Sequence, residues 1–377
     1  AASTCHYNDF KEIPPSGTPV WSASLGGNIL YSTPAAKDGV LYVGTVDDGW
    51  PKCCAIAALR GETGELLWKY RTKNSIKSDI CVINSRVITQ DTKGNVYCLA
   101  LSGKALWTRK LGLLDPNNSS SSIAATKDYV FCGGQQQVFC LRAADGSTVW
   151  QQSLSGGNTS PSAFVLYENM LFVGAHWDRL YALDAATGKT LWTNKSHRLS
   201  YFVMTPALYN GYLFTCSWNG IYKIHAASGE TVKGREIEGY TFNSATTPYL
   251  EKGILYLGTT DRGVVAVDTD SLAVLWTFET GRNLIYTSPY SSGHISTVDS
   301  AVVPIGGHLC FGASDGFFYI IDKSGAEIAR YEIGSPVNQA PLVDGESVIV
   351  SDFSGNITRL DCGAVFHRLS PKWACRT

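Results

Sequence analysis

The stretch Leu171-Phe172-Val173-Gly174, followed by Leu180-Tyr181-Ala182-Leu183-Asp184, Thr187-Gly188 and Leu191-Trp192, decides the fold. Its apolar runs are short, rich in aliphatic and aromatic residues, and separated by tight Gly-marked turns. That is the pattern of consecutive antiparallel strands and not of helices. The same order returns along the whole chain: a small polar lead-in, a Pro-marked inner strand, an apolar strand ending in Gly, an Asp-Gly-like turn, a strand ending in Ala-Leu-Asp, then Thr-Gly and Leu-Trp.

A first copy holds Leu41-Tyr42-Val43-Gly44, Ala58-Leu59, Thr63-Gly64 and Leu67-Trp68; a second holds Val96-Tyr97-Cys98-Leu99 and Leu106-Trp107. The third carries Val138-Phe139-Cys140-Leu141 with Val149-Trp150, and the fifth Ile221-Tyr222-Lys223-Ile224 with Ser228-Gly229. Leu255-Tyr256-Leu257-Gly258 with Leu275-Trp276 marks the sixth, and Cys310-Phe311-Gly312 with Asp315-Gly316 the seventh. An eighth, Val348-Ile349-Val350 to Ile357-Thr358-Arg359-Leu360-Asp361, lacks its outer Trp strand, and Pro19-Val20-Trp21-Ser22-Ala23 at the chain start reads as the orphan that completes it. Pairing the two ends closes a ring and removes exposed sheet edges. The expected fold is therefore all-β: an eight-bladed β-propeller of four-stranded antiparallel blades spanning residues 19–363, with an extension at 1–18 and a tail at 364–377. Seven blades are the alternative if the eighth copy is degenerate.

Composition agrees with a turn-rich, strand-rich protein: of 377 residues, 44% are hydrophobic and 17% charged, with 37 glycines, 19 tyrosines and 10 tryptophans. A formal net charge of −1 supplies no global field for nucleic acid or acidic lipid, and no apolar run is long enough to span a membrane. Eleven cysteines and the glycosylation signals at Asn117 or Asn118, Asn158, Asn194 and Asn356 predict a secreted glycoprotein with disulfides, in an extracellular or otherwise oxidising compartment. Cys5, Cys362 and Cys375 fall at the chain ends, where a bridge would staple the ring shut. Cys53 and Cys54 read as ordinary strand neighbours facing opposite sides.

The run from Asp178 to Trp192 resembles the repeat of pyrroloquinoline-quinone-type propellers, and the likeness covers nearly the whole chain. That family includes quinoprotein alcohol dehydrogenases, the propeller lipoprotein of the outer-membrane barrel-assembly machinery, and propeller regions attached to bacterial calcineurin-like phosphoesterases. Asn74-Ser75-Ile76-Lys77 and Leu284-Ile285-Tyr286-Thr287-Ser288-Pro289 look most like the last group. The phosphoesterases' metal motifs are absent, so phosphatase activity does not transfer. The repeated Trp and Gly residues pack blades together, so the resemblance implies a fold more than a chemistry.

Function on a propeller sits on the face where lead-in loops and second-to-third-strand loops surround the channel. Lys77 stands in a lead-in where most copies carry small polar residues, and with Arg179, Arg198 or Arg282 it would make an anion pocket. His176, Trp177, Asn243, Tyr286 and Tyr290 belong to the same face, and the long segment 281–294 ahead of the seventh inner strand, placed near Val298 to Val303, is either a lid or a decoration. His176, His197, Tyr201 and His294 are the side chains able to exchange protons near neutrality. No paired Cys-x-x-Cys or His-x-x-x-His signals zinc, and Asp47-Asp48 is a single acidic cluster where calcium needs more oxygens.

The leading reading is a binding module that takes a protein, or an anionic small molecule or glycan, on its loop face. A quinone- and calcium-dependent oxidoreductase is the alternative, although no carboxylate set for the calcium is evident. A lyase or hydrolase acting on an acidic glycan is the third.

Overall fold

Among the described residues the apolar runs become thirty-two strands in eight four-stranded antiparallel sheets. The computed structural model describes residues 19–46, 52–112, 123–154, 161–175, 179–195, 199, 205–242, 247–285, 295–363 and 365. In blade 1 the strands Ala35–Lys37, Val40–Thr45, Ala55–Arg60 and Leu66–Arg71 run in chain order from the channel outward. Blades 2 to 7 repeat this order. Blade 8 takes Leu342–Asp344, Ser347–Ser351 and Asn356–Asp361 from one end of the chain and Pro19–Ser24 from the other, with Trp21 opposite Arg359 and Ala23 opposite Ile357. The ring therefore closes with eight blades, and the seven-bladed alternative is excluded.

Burial follows position. The second strand of blade 1 reads as one continuous buried run from Leu41, whereas its outer strand alternates exposed and half-buried residues. A middle strand has a neighbouring blade on each face, while an outer strand has solvent at its edge. The apolar side chains gather into eight clusters, each drawn from two adjacent blades, so the core is a ring of seams. Most inner strands are two or three residues long, Pro161–Tyr167 of blade 4 being the exception, and Pro34, Pro206, Pro248 and Pro341 directly precede four of the short ones, where a missing N–H costs no ladder bond.

One contact recurs at six seams. The outer-strand tryptophan of one blade donates its indole N–H to a carbonyl in the third-to-fourth-strand turn of the next and lies flat on that turn's glycine. Trp107 reaches Ala143 O at 3.0 Å, Trp150 reaches Ala185 O at 3.0 Å, and Trp21 closes the circle on Gly61 O at 3.0 Å. Gly146 has φ +71°, and a Cβ there would stand 2.7 Å from Trp107 Cε3. Only glycine meets both demands.

Two seams depart from the rule together on both sides. Blade 5 has Lys233 where others have Trp, and the facing turn of blade 6 replaces its glycine with Leu272, fully buried at φ 55°. Polar bonds join that seam as well: Lys223 Nζ lies 3.0 Å from Asp270 Oδ1, and Lys233 Nζ lies 2.6 Å from Asp270 O. Blade 7 has Ala329 in the Trp position, packed in a cluster with Cys362 and Val365.

Several expectations change. Cys362 is a fully buried thiol in the core, so it does not form the anticipated staple; Cys5 and Cys375 lie outside the described residues. Cys98, Cys132, Cys140, Cys216 and Cys310 are likewise buried thiols. Asn194 is buried, its amide donating to Gly229 O at 2.8 Å and Thr231 Oγ1 at 2.9 Å, and Asn356 bonds Asp352 Oδ2 at 3.0 Å. Both amides therefore serve seams or turns rather than displaying a glycan acceptor; the signals at Asn117, Asn118 and Asn158 lie outside the described residues. The seventh inner strand is Val303–Ile305, later than expected, because Val298 is buried and the Ser300 hydroxyl accepts from Gly312 N at 3.1 Å ahead of the ladder. Among the described residues no helix is long and apolar enough to cross a membrane.

Gly146→Ala is expected to cost more than about 2 kcal/mol by urea denaturation, combining strain with a clash against Trp107. Gly112→Ala, at φ +75° with open space around it, should cost only about 1 kcal/mol. Equal losses would show that the seam contact is not what holds neighbouring blades.

Candidate functional site

The loop face is built by backbone hydrogen bonds that repeat from blade to blade. Within a blade, the second-to-third-strand loop donates to the lead-in: Thr92 N to Ser75 O at 3.0 Å, Thr260 N to Thr241 O at 2.9 Å, Ser314 N to Thr297 O at 3.1 Å, Phe353 N to Pro336 O at 2.8 Å. Between blades, the next lead-in donates back: Ile76 N to Thr45 O at 3.1 Å, Val298 N to Thr259 O at 3.0 Å, Val337 N to Ala313 O at 3.0 Å. The glycines closing the second strands make room for this crossing, because a Cβ on Gly44 would collide with Ile76 and one on Gly312 with Val337.

Turn carboxylates lock the face. Asp315 accepts from Gly281 N at 2.7 Å, Tyr319 Oη at 2.6 Å and Phe317 N at 3.0 Å. Asp91 takes bonds from Asn74 Nδ2 at 2.8 Å, Asn95 Nδ2 at 2.8 Å and Tyr97 Oη at 3.0 Å. The start of the long seventh lead-in is thereby fixed: Gly281 is held by Asp315, the Asn283 amide donates to Thr297 Oγ1 at 2.6 Å, and Leu284 N donates to Ser314 O at 2.8 Å.

A cavity of 380 Å³ opens where the lead-ins converge on the axis. Tyr31, Thr33, Asp79, Thr205, Thr247, Asp299, Asn338 and Gln339 line it, from blades 1, 2, 5, 6, 7 and 8. The register explains this. Thr33, Asp79, Thr205 and Thr247 stand at one position ahead of their inner strands, where blades 7 and 8 have Ala301 and Ala340. Tyr31, Asp299 and Asn338 share the position one pleat further out, which Lys77 holds in blade 2. Asp79 accepts from Thr33 N at 3.2 Å, and burial pushes its carboxyl above the usual range. Burial and the nearby Asp299 charge push the Tyr31 phenol up.

Of the residues singled out from sequence, Lys77 is half-buried beside the channel, with no hydrogen bond or ion pair among the described residues and outside the cavity lining. Arg179 is half-buried in the second-to-third-strand loop of blade 4, its carbonyl accepting from Ala175 N at 2.9 Å. Arg282 is exposed on the seventh lead-in. The three stand on lead-ins or loops of separate blades. His176, Trp177, His197, Arg198, Tyr201, Asn243, Tyr286, Tyr290 and His294, with Asp47 and Asp48, lie outside the described residues. Sequence reasoning missed Asp79, Asp299, Asn338 and Gln339. Aligning the copies on their inner strands would have marked Asp79 alone, as a charged residue in a column that Thr33, Thr205, Thr247, Ala301 and Ala340 otherwise fill; Asp299 and Asn338 share a mixed column with Tyr31 and Lys77 and carry no such signal.

Residues 12–235 and 238–366 match the family model described as outer membrane protein assembly factor BamB, and the chain belongs to that family. The relative of that name from Moranella endobia is 23% identical over 341 residues, covering 73% of this chain and 83% of its own. The crystal structure of BamB from Moraxella catarrhalis superposes with a TM-score of 0.70 at 20% identity, covering 92% of this chain and 99% of that one. The quinohemoprotein alcohol dehydrogenase of Comamonas testosteroni gives 0.72 at 14% identity, covering 92% of this chain and 76% of that one. Both superpositions establish the shared propeller fold.

The quinone of such dehydrogenases is a tricarboxylate, and the cavity here does not fit it. Two aspartates line the space, and among the described residues neither Lys nor Arg lines it, so an anion with several charges would be repelled by this lining.

Asp315→Ala is expected to cost about 2–4 kcal/mol, because it leaves the buried Tyr319 hydroxyl without an acceptor and releases the Gly281 N–H. Hydrogen exchange at 281–284 should quicken more than in the blade cores; uniform protection would reject the anchoring role. A second expectation concerns pH. With its pKa raised in the folded chain, Asp79 binds a proton that the unfolded chain has already released, so its contribution to stability declines as pH rises from the ordinary value of 3.8 through the folded value. Asp79→Asn should raise the neutral-pH Tm by about 1–3 °C and flatten that decline; calorimetry across the acidic range reads both.

Proposed function

We propose that this chain is a protein-binding propeller that serves the assembly of outer membrane proteins and works outside the cytoplasm. The observation that carries the reading is the family match over nearly all of the chain, with relatives named as outer membrane protein assembly factors. The loop face supports it physically. Its backbone donors and acceptors are spent on the hydrogen bonds between lead-ins and loops, so the surface is held rigid before a partner arrives, which lowers the entropy cost of association.

On that face Trp218 is 37% exposed and Leu284 56% exposed, on the second-to-third-strand loop of blade 5 and the lead-in of blade 7. The Trp218 backbone is held by Phe242 N at 2.8 Å. A large aromatic on a fixed backbone is the kind of anchor that dominates binding at protein interfaces. Lys77 and Arg282 add positive charge near the channel and at its rim, where they would steer an acidic partner.

The test is crosslinking of the natively expressed protein with mass spectrometry. Links to a component of the outer-membrane assembly apparatus are expected from Lys77 and Lys93 on the loop face, and not from Lys104 or Lys189, which lie on turns of the opposite face. Trp218→Ala should weaken the recovered partner by roughly tenfold or more, with Tm unchanged. Links confined to Lys104 and Lys189, or binding indifferent to Trp218, would reject this face.

A further inference from the structure

The channel cavity carries a chemistry that partner binding on the loop rim does not use. Blades 7 and 8 place alanine where blade 2 places Asp79, and blades 1, 5 and 6 place threonine, so the fold itself requires no acid there. Asp299 is 4% exposed and reaches the same cavity from blade 7. Asp299 is buried and Asp79 half-buried, and a carboxylate withdrawn from bulk water is costly unless donors or a cation balance it. Asp79 has no ion-pair partner among the described residues.

Two amides lining the same space are only half satisfied. Gln339 is 2% exposed; its Nε2 donates to Ile29 O at 3.0 Å, and its Oε1 has no partner among the described residues. Asn338 is 3% exposed; its Oδ1 accepts from Ser314 Oγ at 3.3 Å, and its Nδ2 has no partner there. Each amide is thus oriented by its satisfied atom; the unmet Gln339 Oε1 is an acceptor whose cost a donor-bearing ligand would relieve, whereas the Asn338 Nδ2 donor would need an acceptor.

We infer that this cavity binds a small organic cation, a compound carrying ammonium or guanidinium groups, between Asp79 and Asp299. Its 380 Å³ is in the range of small-molecule sites and exceeds what one metal ion needs. An ammonium brings three donors and a guanidinium five, which match two carboxylates, Gln339 Oε1 and the hydroxyls of Thr33, Thr205 and Thr247. The Tyr31 ring, close enough to feel the Asp299 charge, adds an aromatic face for the cation. A divalent metal is less well served, since no group of three His, Cys, Asp or Glu side chains converges among the described residues.

The experiment is titration calorimetry of the full chain with putrescine and agmatine, against the neutral isostere 1,4-butanediol, glutamate and calcium chloride. Both amines are expected to bind, butanediol and glutamate not, with Asp79→Asn and Asp299→Asn each weakening the amines at least about tenfold, as loss of one buried charge partner does. Asp38→Asn, an exposed carboxylate on a turn of the opposite face, should leave affinity unchanged. Should Asp299→Asn fail to fold, the Asp79→Asn pair of titrations decides, since that variant is expected to be no less stable than the parent. No heat with either amine, equal weakening by Asp38→Asn, binding that survives Asp79→Asn, or calcium binding that amines do not displace would each overturn the proposal. None of these outcomes touches the partner-binding reading, whose readout is the rim.

Discussion

An indole lying on a glycine is the contact on which the rest of this protein depends. Each blade alone is a small twisted sheet with two apolar faces, and it becomes stable only when neighbours cover both. The tryptophan sets how far apart and at what angle they sit: its ring fills the space over the glycine, and its N–H ends on a turn carbonyl beside it. Six repetitions of nearly one distance impose one rotation per blade, and a constant rotation is what lets a chain return to its start. Trp21 shows this most directly, since it comes from the first strand of the chain and closes the last seam.

The departures from that contact are as informative. Where blade 5 loses its tryptophan, the facing glycine becomes Leu272, which accepts a left-handed backbone in order to refill the vacated volume, and Lys223 and Lys233 add polar bonds to Asp270. Blade spacing survives because the volume is conserved although the residue types are not. The seam between blades 7 and 8 is completed by Cys362 and Val365, residues beyond the final strand, which explains why Cys362 is core material and not half of a surface bridge.

The loop face inherits its geometry from these seams. Because successive blades are held at a fixed rotation, lead-ins and loops meet in the same way each time, and their hydrogen bonds repeat. Side chains then diverge freely on a common frame. Among the described residues, acidic and amide groups collect on one arc of the channel, from Asp299 in blade 7 through Asn338, Gln339 and Tyr31 to Asp79 in blade 2, and blades 5 and 6 contribute the hydroxyls of Thr205 and Thr247.

By itself the sequence determined the propeller architecture and pointed to eight blades closed through the chain start, since both follow from local periodicity and from turn residues with a positive φ; it left seven blades open, and pairing of Pro19–Ser24 with the last blade decided the count. It also marked the loop face as the place to look, and it singled out Lys77, one pleat away from Asp79 on the same lead-in. It did not reveal that the cavity lining is acidic. Asp79 and Asp299 are separated by most of the chain, and nothing local distinguishes them from the turn aspartates Asp91 and Asp315, whose charges are consumed by backbone and tyrosine donors. Only closure of the ring brings blades 7, 8, 1 and 2 side by side. Which carboxylates are satisfied by their own turns and which face a shared space is decided by contacts between residues far apart in sequence, and those exist only in the tertiary structure.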